Sequence, residues 1–154
     1  MQPGDLVSHF TLLDQYGVQR TLSTMLQQGP IALFFYPAAM TTGCTKESCH
    51  FRDLAGEFAA LGAQRVGISM DSVERQAEFT QKNHLDYPLL ADVGGVVAKQ
   101  FGVKRSLGLM KVKRSTFVIS SDRRVVEVIN SELKMEVHAD RALAALRTLT
   151  ANPR

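Results

Sequence analysis

Cys44 and Cys49 are the only two thiols in 154 residues. They follow an apolar run, Ile31 to Tyr36, that ends at Pro37. A cysteine where a buried strand gives way to a helix meets unpaired backbone N–H groups and the positive end of the helix dipole, and both favour the thiolate. Gly43 permits close backbone approach, and Thr41 and Thr42 are available as caps and hydroxyl donors. The alternative is an inert cysteine that fills the core as a small hydrophobe. Against it stands the polar setting Thr-Thr-Gly-Cys-Thr-Lys-Glu, a poor filling for a core. Five positions along a helix raise the second side chain by about 7.5 Å and turn it by about 140°, which puts the Cα atoms roughly 8–9 Å apart. A disulfide tolerates less than about 7 Å. The two thiols can therefore pair only if the helix start unwinds. Such a thiol suits an oxidant-consuming cycle better than simple dithiol exchange, whose Cys-x-x-Cys spacing is absent.

A thiolate that attacks a peroxide O–O bond needs donors to hold the oxygens and stabilise the leaving oxyanion. Arg114 directly precedes an apolar strand-like run and carries five fixed donors and a permanent charge. Its alternative is membership of the basic stretch that surrounds it. Glu47, three residues after Cys44, shares its helical face and could orient an arginine through a paired contact. Its alternative is a surface acid in the first turn. Zinc is a competing use of Cys44, Cys49 and His50, but no Cys-x-x-Cys or spaced histidine pair completes four ligands. No metal and no cofactor is expected, and His50 reads as an exposed helical histidine.

The elements that must position these groups alternate between strand and helix. Phe10–Leu13 and Val18–Arg20 flank a Gly-containing turn and read as a hairpin. Ile31–Tyr36 lacks period-two alternation, as expected of a strand buried on both faces. Phe51, Leu54, Phe58 and Leu61 recur at helical spacing up to Gly62. Val66–Met70 is the next strand, and Asp71 or Ser72 caps a helix running toward His84. Pro88–Leu90 is a short strand, and Val96–Phe101 a short helix. Thr116–Ile119 and Val125–Ile129 form a second hairpin, and Leu143, Leu146 and Leu149 stripe a final helix. This order predicts an α/β fold: a central mixed sheet flanked by helices, with an N-terminal β-hairpin. The whole chain, 1–154, reads as one domain.

Composition bounds the function. Eighteen Lys and Arg against fifteen Asp and Glu leave a net charge of +3, gathered between Lys99 and Arg114. That stretch lacks interleaved aromatics and a recognition motif, so nucleic acid is not expected as a partner. No apolar run reaches the roughly 20 residues that span a bilayer, and the N-terminus shows no signal-peptide pattern. No membrane association and a cytoplasmic location are the expectations. There a close cysteine pair is redox-active or metal-binding more often than structural. Leu107–Met110 is the one apolar stretch in the basic segment, and packing against the body is its expected role.

The segment Phe35–Asp53 resembles the active-site segment of the bacterioferritin comigratory protein/PrxQ group of peroxiredoxins. Pro37, Thr41 and Cys44 match the wider family's Pro-x-x-x-Thr-x-x-Cys signature, and Asp92–Val103 and Arg114–Ile119 are similar to later family segments. The resemblance implies a thioredoxin-like fold and a thiol-dependent peroxidase acting on hydrogen peroxide or organic hydroperoxides. It implies that Cys44 is the peroxidatic cysteine, oxidised to sulfenic acid. Cys49 is then the resolving cysteine, which forms an intramolecular disulfide with it. Thr41 would hydrogen-bond peroxide and thiolate, Pro37 shield the pocket, Arg114 stabilise the thiolate, and Glu47 hold the arginine. Thioredoxin or a related dithiol would recycle the enzyme, a monomer or weak dimer. Thr42 departs from the proline usual in this group, and Pro37–Met40 lacks its common polar pair. Two other readings remain at this stage: a general protein thiol–disulfide oxidoreductase, and a non-enzymatic redox-sensing binding protein.

Overall fold

The computed structural model describes residues 1–108 and 110–151. Apolar, mostly β-branched and aromatic runs form strands, and the residues at spacings of three and four form helices over them. In chain order the elements are β1 (Thr11–Leu13), β2 (Gln19–Thr21), α1 (Leu22–Leu26), β3 (Ile31–Phe35), α2 (Thr42–Asp53) and α3 (Ala55–Ala60). They continue with β4 (Gln64–Ser69), α4 (Val73–Asn83), β5 (Leu89–Ala91), α5 (Val96–Gln100), β6 (Ser115–Ile119), β7 (Val125–Asn130) and α6 (Glu136–Ala151). The strands make one mixed seven-stranded sheet in the order β2-β1-β5-β4-β3-β6-β7. β3 runs parallel to β4 and antiparallel to β6. The expected α/β class, mixed sheet and N-terminal hairpin are all present.

β3 is buried at every residue, as its unbroken apolar run requires. Ile31, Leu33 and Phe35 join one core with Phe117, Ile119, α1 and α5. Ala32, Phe34 and Tyr36 point the other way, into a core with Cys44, Phe51, Phe79 and the apolar stripe of α6. Phe51 stacks on Phe34 with centroids 4.1 Å apart, so the body of α2 is fixed flat against the central strand.

Two expectations change and one open choice is resolved. The helical run Phe51–Leu61 is two helices, because α2 ends at Asp53 and α3 starts at Ala55. Arg65 Nη1 donates to the Phe51 carbonyl at 3.1 Å, and Leu54 N–H divides between that oxygen at 3.3 Å and the His50 carbonyl at 3.2 Å, so regular helical bonding loosens there. Ser72, not Asp71, caps α4 by accepting from Arg75 N–H; Asp71 instead accepts from Ala39 N–H and Ser69 Oγ. Leu107 stands 86% exposed rather than packed on the body, and Leu109 of the same stretch lies outside the described residues. Helix α1 was not foreseen, since five residues carry too little periodicity to be read.

Candidate active site

Two neighbouring strands build the site. β3 and β6 pair antiparallel with Phe35 opposite Ser115, so the chain leaving β3 and the residue entering β6 emerge at the same end of these two strands. From β3 the chain passes through buried Pro37 and through Met40, which is held at φ 71°, to Thr41 and the start of α2. A non-glycine residue with such a φ stores about 1–3 kcal/mol of strain, held here by the surrounding packing. Thr41 occupies the N-cap position with extended backbone but makes no side-chain cap bond; its hydroxyl donates to the Ala38 carbonyl at 2.8 Å. Cys44 follows in the first turn of α2 and is wholly buried, and Cys49, on the same helix, is half-buried. Both are free thiols.

Arg114 enters from the other strand. It is 3% exposed and leaves the basic segment entirely, with Nη1 donating to Glu47 Oε1 at 2.8 Å and Nη2 donating to Cys44 Sγ at 3.3 Å. One planar guanidinium thus touches the cysteine and the acid that lie three residues apart on α2, which uses its fork geometry in full. Gly43 makes room for it: a Cβ there would lie 3.2 Å from Arg114 Nη2. Arg114 lines a cleft of about 380 Å³ together with Pro37, Thr41, Gly43 and three methionines, Met70, Met110 and Met135. The cleft is mostly apolar, and Asp71, Lys111 and Glu132 join Arg114 as its charged lining.

Burial dominates the electrostatics. It pushes the fully buried Glu47 carboxyl up to about 8 despite the opposing pull of Arg114. Burial also works against the Arg114 charge, but Glu47 and Cys44 outweigh it and hold that guanidinium above its ordinary pKa. Behind Glu47 sits His138 of α6, wholly buried, 2.8 Å from Thr116 Oγ1 and 3.5 Å from Glu47 Oε2. Sequence reasoning passed over this histidine. The available signal was its phase: it precedes Ala142 by four residues, on the stripe that buries Ala139, Ala142 and Leu146.

Outside this cluster, His50 is helical as expected but half-buried rather than exposed, with Nε2 2.8 Å from Asp140 Oδ1 on α6. Tyr87 Oη donates to the Ser48 carbonyl at 2.6 Å, a tie between the α4–β5 connection and the residue before Cys49. Among the described residues no three His, Cys, Asp or Glu side chains converge as metal ligands. No described helix is long and apolar enough to cross a membrane.

Residues 3–128 match the AhpC/TSA family. The chain belongs to that family. The chloroplastic peroxiredoxin Q of Sedum lineare is 40% identical over 140 residues, 91% of this chain and 75% of that protein. The crystal structure of the peroxidoxin BcpB from Mycobacterium tuberculosis superposes with a TM-score of 0.93 at 60% identity, covering 97% of this chain and 98% of that one. A bacterioferritin comigratory protein of Xanthomonas campestris, studied for its alkyl peroxide reduction activity, gives a TM-score of 0.83 at 31% identity over 92% of both chains. This chain is accordingly a peroxiredoxin of the PrxQ kind with a thioredoxin-like fold, a thiol peroxidase. Peroxiredoxins act on peroxides and are recycled by thiol reductants.

Proposed function

We propose that this peroxiredoxin reduces hydrogen peroxide and organic hydroperoxides with Cys44 as the attacking thiolate and Cys49 as the resolving thiol. The observation that carries the reading is the 3.3 Å contact from Arg114 Nη2, whose residue lines the cleft, to the buried Cys44 Sγ. A permanent cation there stabilises the thiolate and then the negative charge on the departing oxygen. The Cys44 sulfur attacks one peroxide oxygen, and the O–O bond breaks with its electron pair on the other. That oxygen takes a proton and leaves as water or an alcohol, and Cys44 becomes sulfenic acid. Cys49 sulfur then attacks the sulfenic sulfur, water departs and an intramolecular disulfide forms. An external dithiol restores both thiols by exchange; thioredoxin or a similar donor fills that role, in the cytoplasm, on a monomer or weak dimer. The apolar lining of the cleft, Pro37 and three methionines, accommodates an alkyl group, in keeping with the activity studied in the Xanthomonas protein.

Helix α2 sets the order of events. While it is intact, the helical rise holds the two cysteines too far apart to bond. Resolution therefore requires the first turns to open and Cys44 to leave Arg114. Thr41 and Pro37 shape the cleft, and Glu47 holds the arginine.

Intact-mass analysis after one equivalent of hydrogen peroxide tests the scheme. The parent should lose two hydrogens, Cys49→Ser should gain one oxygen, and Cys44→Ser should stay unmodified and inactive. Turnover by Cys44→Ser at the parental rate would refute it.

A further inference from the structure

The buried cluster has a side that the peroxide chemistry does not use. His138 Nε2 lies 2.9 Å from the Ser131 carbonyl oxygen, which can only accept, so Nε2 carries the ring proton. In the neutral ring Nδ1 is then an acceptor. It faces Thr116 Oγ1 at 2.8 Å and Glu47 Oε2 at 3.5 Å. Glu47 Oε2 is itself buried with no hydrogen-bond partner among the described residues, while Oε1 takes the arginine. Cys44, Arg114, Glu47 and His138 thus stand in a row with steps of 3.3, 2.8 and 3.5 Å.

Charge counting gives the row a role. A thiolate and a carboxylate around a single guanidinium leave one uncompensated negative charge in a dry site, which is costly. One proton between Glu47 Oε2 and His138 Nδ1 makes the row neutral, on whichever of the two atoms it rests. We propose that Glu47 and His138 jointly hold one proton while Cys44 is a thiolate, which leaves the Arg114 charge to the sulfur. His138 is then a positioning residue for the peroxidase reaction, acting through Glu47 and Arg114. The inference rests on the reading of Cys44 as the attacking thiolate. Burial raises the carboxyl and lowers the imidazole, which places the proton on the carboxyl side. The other charged groups facing the ring are Glu132, before α6, which favours its protonation, and Arg114 and Arg141, which oppose it.

Two measurements test the proposal. At neutral pH the reduced enzyme should show either a protonated-carboxyl infrared band that Glu47→Gln removes or a doubly protonated imidazole in the 15N NMR spectrum that His138→Gln removes; absence of both overturns the idea. The second uses the Cys49→Ser protein, in which Cys44 is the only thiol. There His138→Gln places an amide donor against Oε2 and so favours the carboxylate. The midpoint of the Cys44 thiolate absorbance should rise by about one pH unit, a tenfold change in the equilibrium. Adding Glu47→Gln should abolish that rise, because no carboxylate remains to be controlled. An unmoved midpoint in the single change, or an equal rise with Glu47→Gln present, overturns the proposal; the latter is what a purely structural histidine gives. Neither measurement consumes peroxide, so a failure of the peroxidase assignment is read separately, from Cys44→Ser turnover.

Discussion

Replacing Arg114 by lysine keeps the charge and removes the fork. In the folded protein two separate nitrogens of one guanidinium reach Glu47 Oε1 at 2.8 Å and Cys44 Sγ at 3.3 Å. A lysine ammonium has three donors on a single nitrogen, which cannot stand at both the Nη1 and Nη2 positions, so at least one of the two contacts lengthens. Glu47 is wholly buried and, among the described residues, accepts its only hydrogen bond from this arginine, so it competes directly with the sulfur for the ammonium. The thiolate loses one hydrogen bond to a charged donor, worth about 1.5–3 kcal/mol. At about 1.4 kcal/mol per factor of ten, sulfenic acid formation slows by about 10- to 150-fold. The assay is rapid mixing of reduced protein with hydrogen peroxide, acid quench, and intact mass against time. The chain contains no tryptophan, so mass serves better than intrinsic fluorescence. Sulfenic acid formation by Arg114→Lys at the parental rate would show that the two-pronged contact does not assist the reaction.

Thr42 is the first residue of α2, and Thr41 before it has φ −77° and ψ 154°, a conformation proline accepts in its predecessor. Thr42→Pro should stabilise the fold by about 0.4–1 kcal/mol and slow disulfide formation about 2- to 5-fold, read from urea midpoints and the rate of two-hydrogen loss. Removing the Tyr87 hydroxyl with Tyr87→Phe breaks its bond to the Ser48 carbonyl and should cost about 1 kcal/mol in urea unfolding, with an unchanged midpoint counting against the tie. The Glu47 carboxyl sits far above its ordinary range, near 8, so the folded state binds the extra proton. Its stability contribution is therefore full below the unfolded carboxylate range and is lost as pH rises toward about 8. Thermal melts across that window should decline less steeply for Glu47→Gln than for the parent; parallel slopes would contradict the assignment.

Much of this molecule was open to reading because its signals are local. A run such as Ile31–Tyr36, polar residues after Pro37, and apolar residues three and four apart constrain backbone angles within a few positions. Those constraints are enough to place Cys44 in the first turn of a helix after a central strand, and to require that Cys49 be unreachable while that helix holds. Glu47 beside Cys44 follows from the same periodicity.

Contacts across long separations are of another kind. Arg114 could belong equally to a solvated basic stretch or to the site. The choice is made by the pairing of β6 against β3, which carries a residue 70 positions away to the strand end beside Cys44. The break at Leu54 depends on Arg65 reaching back to Phe51 from the next strand, and periodicity has no term for that. His138 meets Glu47 only because α6 packs on the same face as α2. The sequence by itself determined that Cys44 stands in the first turn of a helix and that Cys49 cannot bond to it while that helix holds, because backbone geometry is a local property. Only the tertiary structure decided which charges surround Cys44, because burial and the neighbours it imposes are set by the order of strands and the packing of helices on them.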